Sequence, residues 1–577
     1  MSNYEGFYYS NEEKEELVGI SDVIIMEEDR RKQGEYFTPD ILTIKADEYL
    51  WWHLGNNYKD EYFVWDCAAG TGNLTRNFEY KHLYQSTLHK SDLQTMKQSN
   101  INPEGTKFQF DFLNDDLDKI PNDLMDAIRE NKKILFYINP PYMRAGDFSA
   151  SSKEEKDVMA KGGVSSTSTS DDMLKNKWGN SSSNLYAQFL YKIWKMKKDF
   201  NLSNLSIGLF CPELFISGSD FDKFRDNFLK DFKYENGFLT PASLFSDVSK
   251  QWGILFSIWT NGQTNNANDF SVEIYDTDDS LNVENKGTKL LYNLDNLLSA
   301  SEWIRKNEKR GNIEIPFMTN AINVGSPKSR KPVKFHETSI GYMLNLGNNV
   351  YYNQQGVSIF STTYNQPGVV IDKDNLLNIC TLFTSRKLIQ ANWVNQKQEY
   401  MAPDETNPEW EQFKCDSIIY SLFNSASNQS ALRDINYNNK KWNSFNEFFW
   451  VPIEKMREII KQSSNQDLYN DIKLYGKQRY VAQLLYDEGI YGKLSEDAKF
   501  VLDEATKYVV KSIGIRDIVN RERPELNANT WDAGFYQLKG IANTIVSHKN
   551  DIKIIMDAYK EFGNRLRPLV YELGFLK

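Results

Sequence analysis

Short continuous apolar runs recur through the first half of the chain, and such runs are typical of strands that are buried on both faces of a sheet. Helical spacing separates two of them: apolar residues at Leu185, Phe189, Ile193 and Trp194 predict a helix over 184–198. Buried strands alternating with helices indicate an α/β fold with a largely parallel sheet. The predicted strands are 63–65, 82–89, 107–110, 134–138, 205–211, 236–239 and 253–259.

The tetrapeptide Asn139-Pro140-Pro141-Tyr142 directly follows the predicted strand 134–138. Open α/β sheets bind their ligands at the carboxyl ends of the strands, so this segment is a candidate site. The two prolines remove backbone donors and leave nearby carbonyls free to accept hydrogen bonds. Asn139 adds a side-chain carbonyl, and the ring of Tyr142 offers a face for stacking. This combination suits a planar ligand with an exocyclic amino group; the alternative is a proline-rich turn.

A glycine-rich turn follows the predicted strand 63–65, with the sequence Asp66-Cys67-Ala68-Ala69-Gly70-Thr71-Gly72-Asn73. Glycine has no Cβ atom, so it lets a ligand approach the backbone closely. We expect a helix to begin at Leu74, which would complete a strand–turn–helix unit. The segment lacks the Gly-Lys-Ser/Thr of a phosphate-binding loop and the third glycine of the dinucleotide motif. Asp66, at the end of the strand, favours a ligand with an amino group over a pyrophosphate.

Two further acidic residues follow predicted strands. Asp92 comes after strand 82–89, where an acid accepts hydrogen bonds from the ribose hydroxyls of a nucleotide. The alternative for Asp92 is an N-cap of the helix that begins near Leu93. Asp111 and Phe112 come at the end of strand 107–110 and are a further candidate acceptor and stacking ring.

The later part of the chain has a different pattern. A polar stretch over 144–183 has the composition of a mobile loop, and 260–266 has the composition of a linker. Beyond the linker the sequence is irregular and rich in Asn, Tyr and Trp, and helical spacing returns from about residue 452. The helices predicted near the C-terminus are 453–460, 468–474, 481–485, 498–513 and 541–562.

Composition places the chain among ordinary globular proteins and argues against a metal site. The 577 residues suggest two to four domains, and no stretch approaches the roughly 18 apolar residues of a membrane helix. The N-terminus is polar and acidic, unlike a signal peptide. The four cysteines are widely spaced and the five histidines show no paired spacing. We therefore expect a cytoplasmic protein without disulfides, zinc or another metal.

The net charge of −11 is unusual for a nucleic-acid binder, because phosphate contacts require basic surface. Only the contact surface has to be basic, however, and local basic runs exist. The clearest is the segment GSPKSRKPVKF, which has no acidic residue. It is either a solvated face or a phosphate contact, and its candidate residues are Lys328, Arg330, Lys331 and Lys334.

Taken together, the glycine-rich turn and the Asn-Pro-Pro-Tyr segment resemble the motifs of S-adenosylmethionine-dependent DNA N6-adenine methyltransferases. A third match lies upstream, in Gly34-Glu35-Tyr36-Phe37-Thr38-Pro39. The order of the three motifs, followed by a long C-terminal region, is that of the gamma arrangement. The resemblance covers about 110 residues strongly and extends more weakly to about residue 260.

The resemblance implies a Rossmann-like, seven-stranded sheet with one antiparallel strand in a catalytic domain over 1–262. It further implies a mixed α+β target recognition domain over 267–460 that binds double-stranded DNA, and a helical region over 461–577. Asn139, Pro140, Pro141 and Tyr142 would be catalytic. The cofactor S-adenosylmethionine would be bound by Tyr36, Phe37, Thr38, Pro39, Asp66, Ala68, Gly70, Gly72, Asn73, Asp92, Asp111 and Phe112.

The implied reaction is methyl transfer to the N6 amino group of an adenine that is flipped out of the duplex. Cytosine also carries an exocyclic amine, so N4-cytosine methylation remains open. A protein glutamine methyltransferase, an RNA methyltransferase and a catalytically silent DNA-binding subunit remain open as well. A restriction–modification or defence system, with a separate nuclease subunit, and an orphan modification enzyme are both compatible with the motifs.

Overall fold

The computed structural model describes residues 38–99, 102–142, 167–245, 252–264, 270–277, 283–317, 334–364, 366–437 and 439–577. The chain divides into two compact units. The first unit comprises Met1–Asp295 and Asn392–Gln398, and the second comprises Asn296–Ala391 and Glu399–Lys577. The assignment of 267–460 to target recognition and of 461–577 to a separate helical region stays a prediction.

A nine-stranded sheet, in the order β3-β2-β1-β4-β5-β7-β6-β8-β9, forms the centre of the first unit. Strands β1 to β5 run parallel, whereas β7 is antiparallel to both β5 and β6. Apolar residues cover both faces, since neighbouring positions of β4 belong to two different cores. The strands are β1 Phe63–Asp66, β2 His82–Thr87, β3 Thr106–Gln109, β4 Ile134–Ile138, β5 Leu205–Pro212, β6 Phe232–Pro241, β7 Gly253–Asn261, β8 Phe270–Thr277 and β9 Val283–Leu291.

The sheet has two strands more than the seven that were predicted. Strands β1 to β7 lie where the sequence placed them, but β8 and β9 extend the sheet beyond β6. The hydroxyl of Tyr49 donates to the Glu273 carboxylate on β8, and Asn285 Nδ2 on β9 donates to the same group at 3.0 Å. These polar contacts tie the added hairpin to the helix that carries Tyr49.

Helices flank the sheet, and two expectations for these connections are wrong. The segment after Leu74 forms successive turns, and part of the predicted loop 144–183 is helical. The turns persist because Gly72 has a φ of +88° and Arg76 is held by Asp40 at 2.8 Å. The helices of the first unit are α1 Asp40–Leu54, α2 Tyr58–Glu61, α3 Lys90–Gln98, α4 Asn122–Arg129, α5 Ser168–Lys175, α6 Leu185–Asp199, α7 Leu214–Ser217 and α8 Asp222–Phe228.

The second unit combines small sheets with helices around one large apolar core. A four-stranded sheet has the order β12-β10-β11-β13, and β14 and β15 form a separate hairpin. The strands are β10 Ser339–Asn345, β11 Val357–Phe360, β12 Gly368–Asp372, β13 Ser427–Asn428, β14 Leu432–Tyr437 and β15 Lys440–Ser444. Helices α9 Ala300–Arg305, α10 Leu376–Leu388 and α11 Trp410–Phe423 accompany them.

The C-terminal part of the second unit is helical, as predicted. The long helix predicted over 541–562 is divided, however, because Ile545 adopts extended backbone between two helices. The helices are α12 Ile453–Lys461, α13 Gln466–Tyr475, α14 Tyr480–Ala482, α15 Glu496–Ser512, α16 Arg516–Glu522, α17 Phe535–Thr544, α18 Lys549–Leu566 and α19 Leu569–Glu572. Within the described ranges, no helix has both the length and the apolar character needed to cross a membrane.

Candidate active site

The side chain of Asn139 lies at the carboxyl end of β4, next to the end of β1 in the sheet. Its Nδ2 donates to the hydroxyl of Thr38 at 2.8 Å, and its Oδ1 accepts from the hydroxyl of Tyr142 at 2.5 Å. These two bonds fix which way the carboxamide points. A carboxamide oxygen carries two lone pairs, so an oxygen of this kind can accept from more than one donor.

An aromatic residue that the sequence analysis did not identify faces Tyr142. The rings of Tyr142 and Trp252 lie edge to face, with centroids 6.0 Å apart and an interplanar angle of 84°. Trp252 precedes β7, and its backbone carbonyl accepts from Ala242 at 2.8 Å. Its only signal in the sequence is an aromatic residue at the end of a polar stretch. Pro140 is buried, whereas Pro141, Tyr142 and Trp252 are half-buried, so this group borders accessible space.

The glycine-rich turn lies at the end of β1, beside β4. Gly70 has a φ of +52° and Gly72 a φ of +88°, a region that L side chains rarely adopt. An added Cβ at Gly70 would meet no atom within 4 Å, whereas one at Gly72 would lie 3.1 Å from Gln85 Nε2. Gly70 therefore faces open space, and Gly72 allows close packing against β2.

Asp66 ends β1 as a buried carboxyl. Its Oδ1 accepts from the backbone N–H of Ala68 at 3.2 Å, and its Oδ2 has no hydrogen-bond partner among the described residues. Burial raises the pKa of Asp66 to about 7, although the bond from Ala68 opposes this effect. A buried carboxylate without a full set of partners is costly unless a cationic group neutralises it.

Asp92 is buried in the first turn of α3, directly after β2. The hydroxyl of Thr87 donates to its Oδ2 at 3.3 Å. The N-cap of this helix is His89, so the capping role considered for Asp92 is wrong. An acidic side chain in the first turn is stabilised by the free N–H groups of the helix.

Asp111 and Phe112 lie after β3, and their contacts are mainly internal. Asp111 Oδ1 accepts from the N–H groups of Leu113 and Asn114, and its Oδ2 accepts from Asn114 Nδ2 at 2.8 Å. The ring of Phe112 is buried and stacks on Phe189 at 5.1 Å. Asp111 thus shapes a turn, and one face of Phe112 is already covered.

Asn73 belongs to a network that joins the glycine-rich turn to the start of α1, where Pro39 is the N-cap. Arg76 donates to Asn73 Oδ1 at 2.9 Å and pairs with Asp40, which also accepts from Asn77. Thr38 and Pro39 are thereby held close to the turn that follows β1.

A second buried carboxyl, Glu213, follows β5 and was not predicted. One of its oxygens, Oε2, has no partner in the described part of the chain, and burial raises its pKa to about 7 against the opposite effects of Lys289 and Lys397. The same residue occupies the N-cap position of the short helix α7. β5 pairs with β4, so Asp66 and Glu213 both lie at the carboxyl edge of the sheet.

Several predicted residues cannot be placed. Tyr36 and Phe37 lie outside the described residues, as do three of the four basic candidates, Lys328, Arg330 and Lys331. Lys334 is described and exposed, and its ammonium lies 3.6 Å from the carboxylate of Glu314. No group of three or more His, Cys, Asp or Glu side chains with the arrangement of a metal site occurs among the described residues.

No protein family model and no curated protein matches the chain. Solved structures resemble it at low identity. A DrdV–DNA complex matches with 14% identity and a TM-score of 0.34, over 46% of this chain and 30% of that chain. The type IIG restriction endonuclease BpuSI matches with 15% identity and a TM-score of 0.29, over 48% of this chain and 33% of that chain.

The ATP-dependent type ISP restriction–modification enzyme LlaBIII, bound to DNA, matches with 12% identity and a TM-score of 0.32. That similarity covers 67% of this chain and 39% of LlaBIII. The chain therefore spans less than half the length of each of these three proteins.

Proposed function

We propose that the protein is an S-adenosylmethionine-dependent methyltransferase that modifies the N6 amino group of an adenine flipped out of double-stranded DNA. The supporting observation is the Asn139 carboxamide, oriented by Thr38 and Tyr142 at the end of β4. Strand β4 pairs with β1, the strand that the glycine-rich turn follows. An acceptor for an amine and an open turn for a cofactor thus occupy neighbouring strand ends.

Residues at the end of β1 have the chemistry to hold this cofactor. The unpartnered Oδ2 of Asp66 suits the ammonium group of its methionine part, and the open space at Gly70 admits a ligand close to the backbone. Asp92 would accept from the ribose hydroxyls. Other residues proposed to line the site are Thr38, Pro39, Ala68, Gly72, Asn73, Asp111 and Phe112. When bound, the cofactor supplies a methyl group on a positively charged sulfur.

The protein's part in the reaction is to make the adenine nitrogen nucleophilic. The lone pair of that nitrogen is delocalised into the ring, which weakens it as a nucleophile. Asn139 Oδ1 and the carbonyl of Pro140 would accept its two N–H groups and favour a tetrahedral nitrogen with a localised lone pair. Because Nδ2 of Asn139 is bound to Thr38, Oδ1 is positioned before the substrate arrives.

The same acceptors would hold the protons while the nitrogen gains the methyl group and a positive charge. The bond between the methyl group and sulfur would break, and its electron pair would stay on the sulfur, which becomes neutral. One proton then leaves the nitrogen for solvent, which restores a neutral product. No covalent bond to the protein is needed. The rings of Tyr142 and Trp252 would contact the extrahelical base and offset part of the few kcal/mol that unstacking costs.

The roles of the remaining regions follow from this proposal. The part over 267–460 would contain the residues that recognise the DNA sequence, and Lys334 together with Lys328, Arg330 and Lys331 would contact phosphates. A separate restriction endonuclease or defence-system subunit is a compatible partner. N4-cytosine is the alternative acceptor, because it offers the same pair of N–H groups.

An acceptor panel tests the proposal. The full chain is incubated with methyl-labelled S-adenosylmethionine and, in parallel, unmethylated double-stranded DNA, total RNA or a cell protein extract. We expect label in DNA only. Label in RNA or protein, with none in DNA, would overturn the proposed substrate while leaving a methyltransferase.

A further inference from the structure

The connection between β10 and β11 is a compact loop with a closed neck, which we call the tyrosine loop (residues 346–356). At the neck, the N–H of Leu346 donates to the carbonyl of Gly356 at 2.8 Å. Inside the loop, the N–H of Gly356 donates to the carbonyl of Tyr352, also at 2.8 Å. Compact surface loops whose ends meet are frequently functional.

A buried arginine stabilises this loop by hydrogen bonds from its inner side. Arg386 on α10 is 0% exposed, and its five N–H groups all have acceptors in or beside the loop. Nε donates to Asn353 Oδ1 at 3.1 Å, and Nη1 donates to Asn345 Oδ1 and to the carbonyl of Gly347. Nη2 donates to the carbonyls of Leu346 and Asn349. The loop conformation is therefore fixed without any ligand.

A second cation adds to the charge beneath the loop. Lys387 Nζ donates to the carbonyls of Asn353 at 2.6 Å and Gln354 at 3.1 Å. Burial lowers the pKa of Arg386 to about 10 and that of Lys387 to about 8, so both are mainly charged at neutral pH. The loop itself has no charged residue. Asn348 Nδ2 of the loop donates to the carboxylate of Glu399 at 3.4 Å.

The outer side of the loop presents aromatic rings and amides. Tyr351 and Tyr352 are 52% and 37% exposed, and their rings lie 5.2 Å apart at 82°. Gln354 and Gln355 beside them are exposed. Gly347 is required here, since its φ is +56° and an added Cβ would lie 2.3 Å from the ring of Tyr352. The loop thus displays two rings and two amides on a rigid base.

We propose that the tyrosine loop is a sequence-reading element of the protein, with DNA as its partner: Gln354 and Gln355 contact adenine edges in the major groove, and Tyr351 and Tyr352 pack against the same segment. This inference rests on the proposed function. Glutamine pairs with the two adjacent groups of an adenine edge, and the cations beneath favour an approaching phosphate backbone. A preformed loop also reduces the entropy lost on binding.

The test compares two double variants of the full chain, Gln354→Ala/Gln355→Ala and Tyr351→Ala/Tyr352→Ala, with wild type. Methylated positions in genomic DNA are mapped, kcat/KM is measured on an oligonucleotide with the wild-type site, and DNA binding is measured by anisotropy. The matched controls are Gln462→Ala and Tyr571→Ala, which remove exposed residues of the same kinds elsewhere in the second unit. Thermal unfolding confirms that all variants fold.

We expect both loop variants to lose about tenfold to a hundredfold in kcat/KM and in affinity. The glutamine variant should also methylate a wider set of sequences, while the controls match wild type. Loop variants that methylate the wild-type sites with wild-type kcat/KM would overturn this inference and leave the proposed function intact. That result is the one expected of a loop that binds a protein partner instead of DNA. A wild type that neither binds nor methylates DNA would overturn both.

Discussion

The carboxamide of Asn139 donates to the hydroxyl of Thr38 at 2.8 Å, although the two residues are 101 positions apart in the chain. Thr38 is buried and precedes α1, whereas Asn139 follows β4. Under the proposed function, this bond helps to orient Oδ1 of Asn139 toward the substrate amine. In our account Thr38 is therefore a positioning residue for the reaction.

Replacing Thr38 by valine keeps the shape of the side chain and removes its oxygen. We expect kcat to fall about tenfold, which corresponds to about 1.4 kcal/mol of transition-state stabilisation, because the carboxamide loses its orientation. The KM for DNA should change little. Single-turnover methylation measures this effect, with Thr38→Ser as the control that restores the oxygen. A valine variant with wild-type kcat would show that the bond has no part in positioning.

Tyr142 has two separable functions in the account, a hydroxyl that donates to Asn139 and a ring that contacts the base. Tyr142→Phe retains the ring and leaves the bond from Asn139 to Thr38 in place, so we expect its kcat/KM to stay within about threefold of wild type. Tyr142→Ala removes the ring and should lose about tenfold to a hundredfold, the range of one lost base–aromatic stack. Equal losses in steady-state assays of both variants would contradict a stacking function.

Trp252 is expected to help hold the flipped base, because its ring lies edge to face with Tyr142. Trp252→Leu should lower kcat/KM about tenfold on a fully paired duplex, within the range for one aromatic contact. The loss should be smaller when the target adenine is mismatched, because a mismatched base is easier to extrude. The comparison requires two oligonucleotides that differ at one position. The same loss on both would argue against this function.

The stability of the protein should depend on pH through Asp66, whose pKa is raised from 3.8 to about 7 by burial. The folded state holds this proton more tightly than the unfolded state does. The resulting stabilisation is complete below about pH 4 and is lost as the pH rises to about 7. Asp66→Asn should therefore be more stable than wild type at pH 8, by at most about 4 kcal/mol. Urea denaturation at pH 4.5 and pH 8 measures the difference.

The affinity for the cofactor should also depend on pH through Asp66, because only the ionised carboxylate pairs with an ammonium group. The affinity of wild type for S-adenosylmethionine should rise from pH 6 to pH 8, with proton release near pH 6 in calorimetry. The Asp66→Asn variant should bind more weakly and show no such dependence. A wild-type affinity that is constant over this range would contradict our assignment of Asp66.

The sequence was sufficient for the strands buried on both faces. The runs Ile134–Ile138 and Leu205–Pro212 are almost entirely apolar, and they form the fully buried strands β4 and β5. The hairpin β8–β9 was not predicted, because β9 is mostly exposed at the sheet edge and contains Glu284, Asn285 and Lys286. Its place depends on the pairing of β8 with β6 and on the contact between Glu273 and Tyr49 of α1, which a local pattern does not contain.

The site shows the same limit. Asn139 and the glycine-rich turn were recognisable from residue type and spacing alone. Asp111 has the residue type of a ligand acceptor, yet its oxygens bind Leu113 and Asn114 in a turn. Trp252 and Glu213 lie in the site region through tertiary packing, and no periodic pattern marks either of them.

The proposed function requires that Asn139 activates an adenine amino group in DNA. Methyl transfer from labelled S-adenosylmethionine to unmethylated double-stranded DNA is measured for wild type and for Asn139→Ala, with nucleoside analysis of the product. We expect N6-methyladenine from wild type and none from the variant, although both bind the cofactor. N4-methylcytosine from wild type, or N6-methyladenine from both proteins at the same rate, would contradict it.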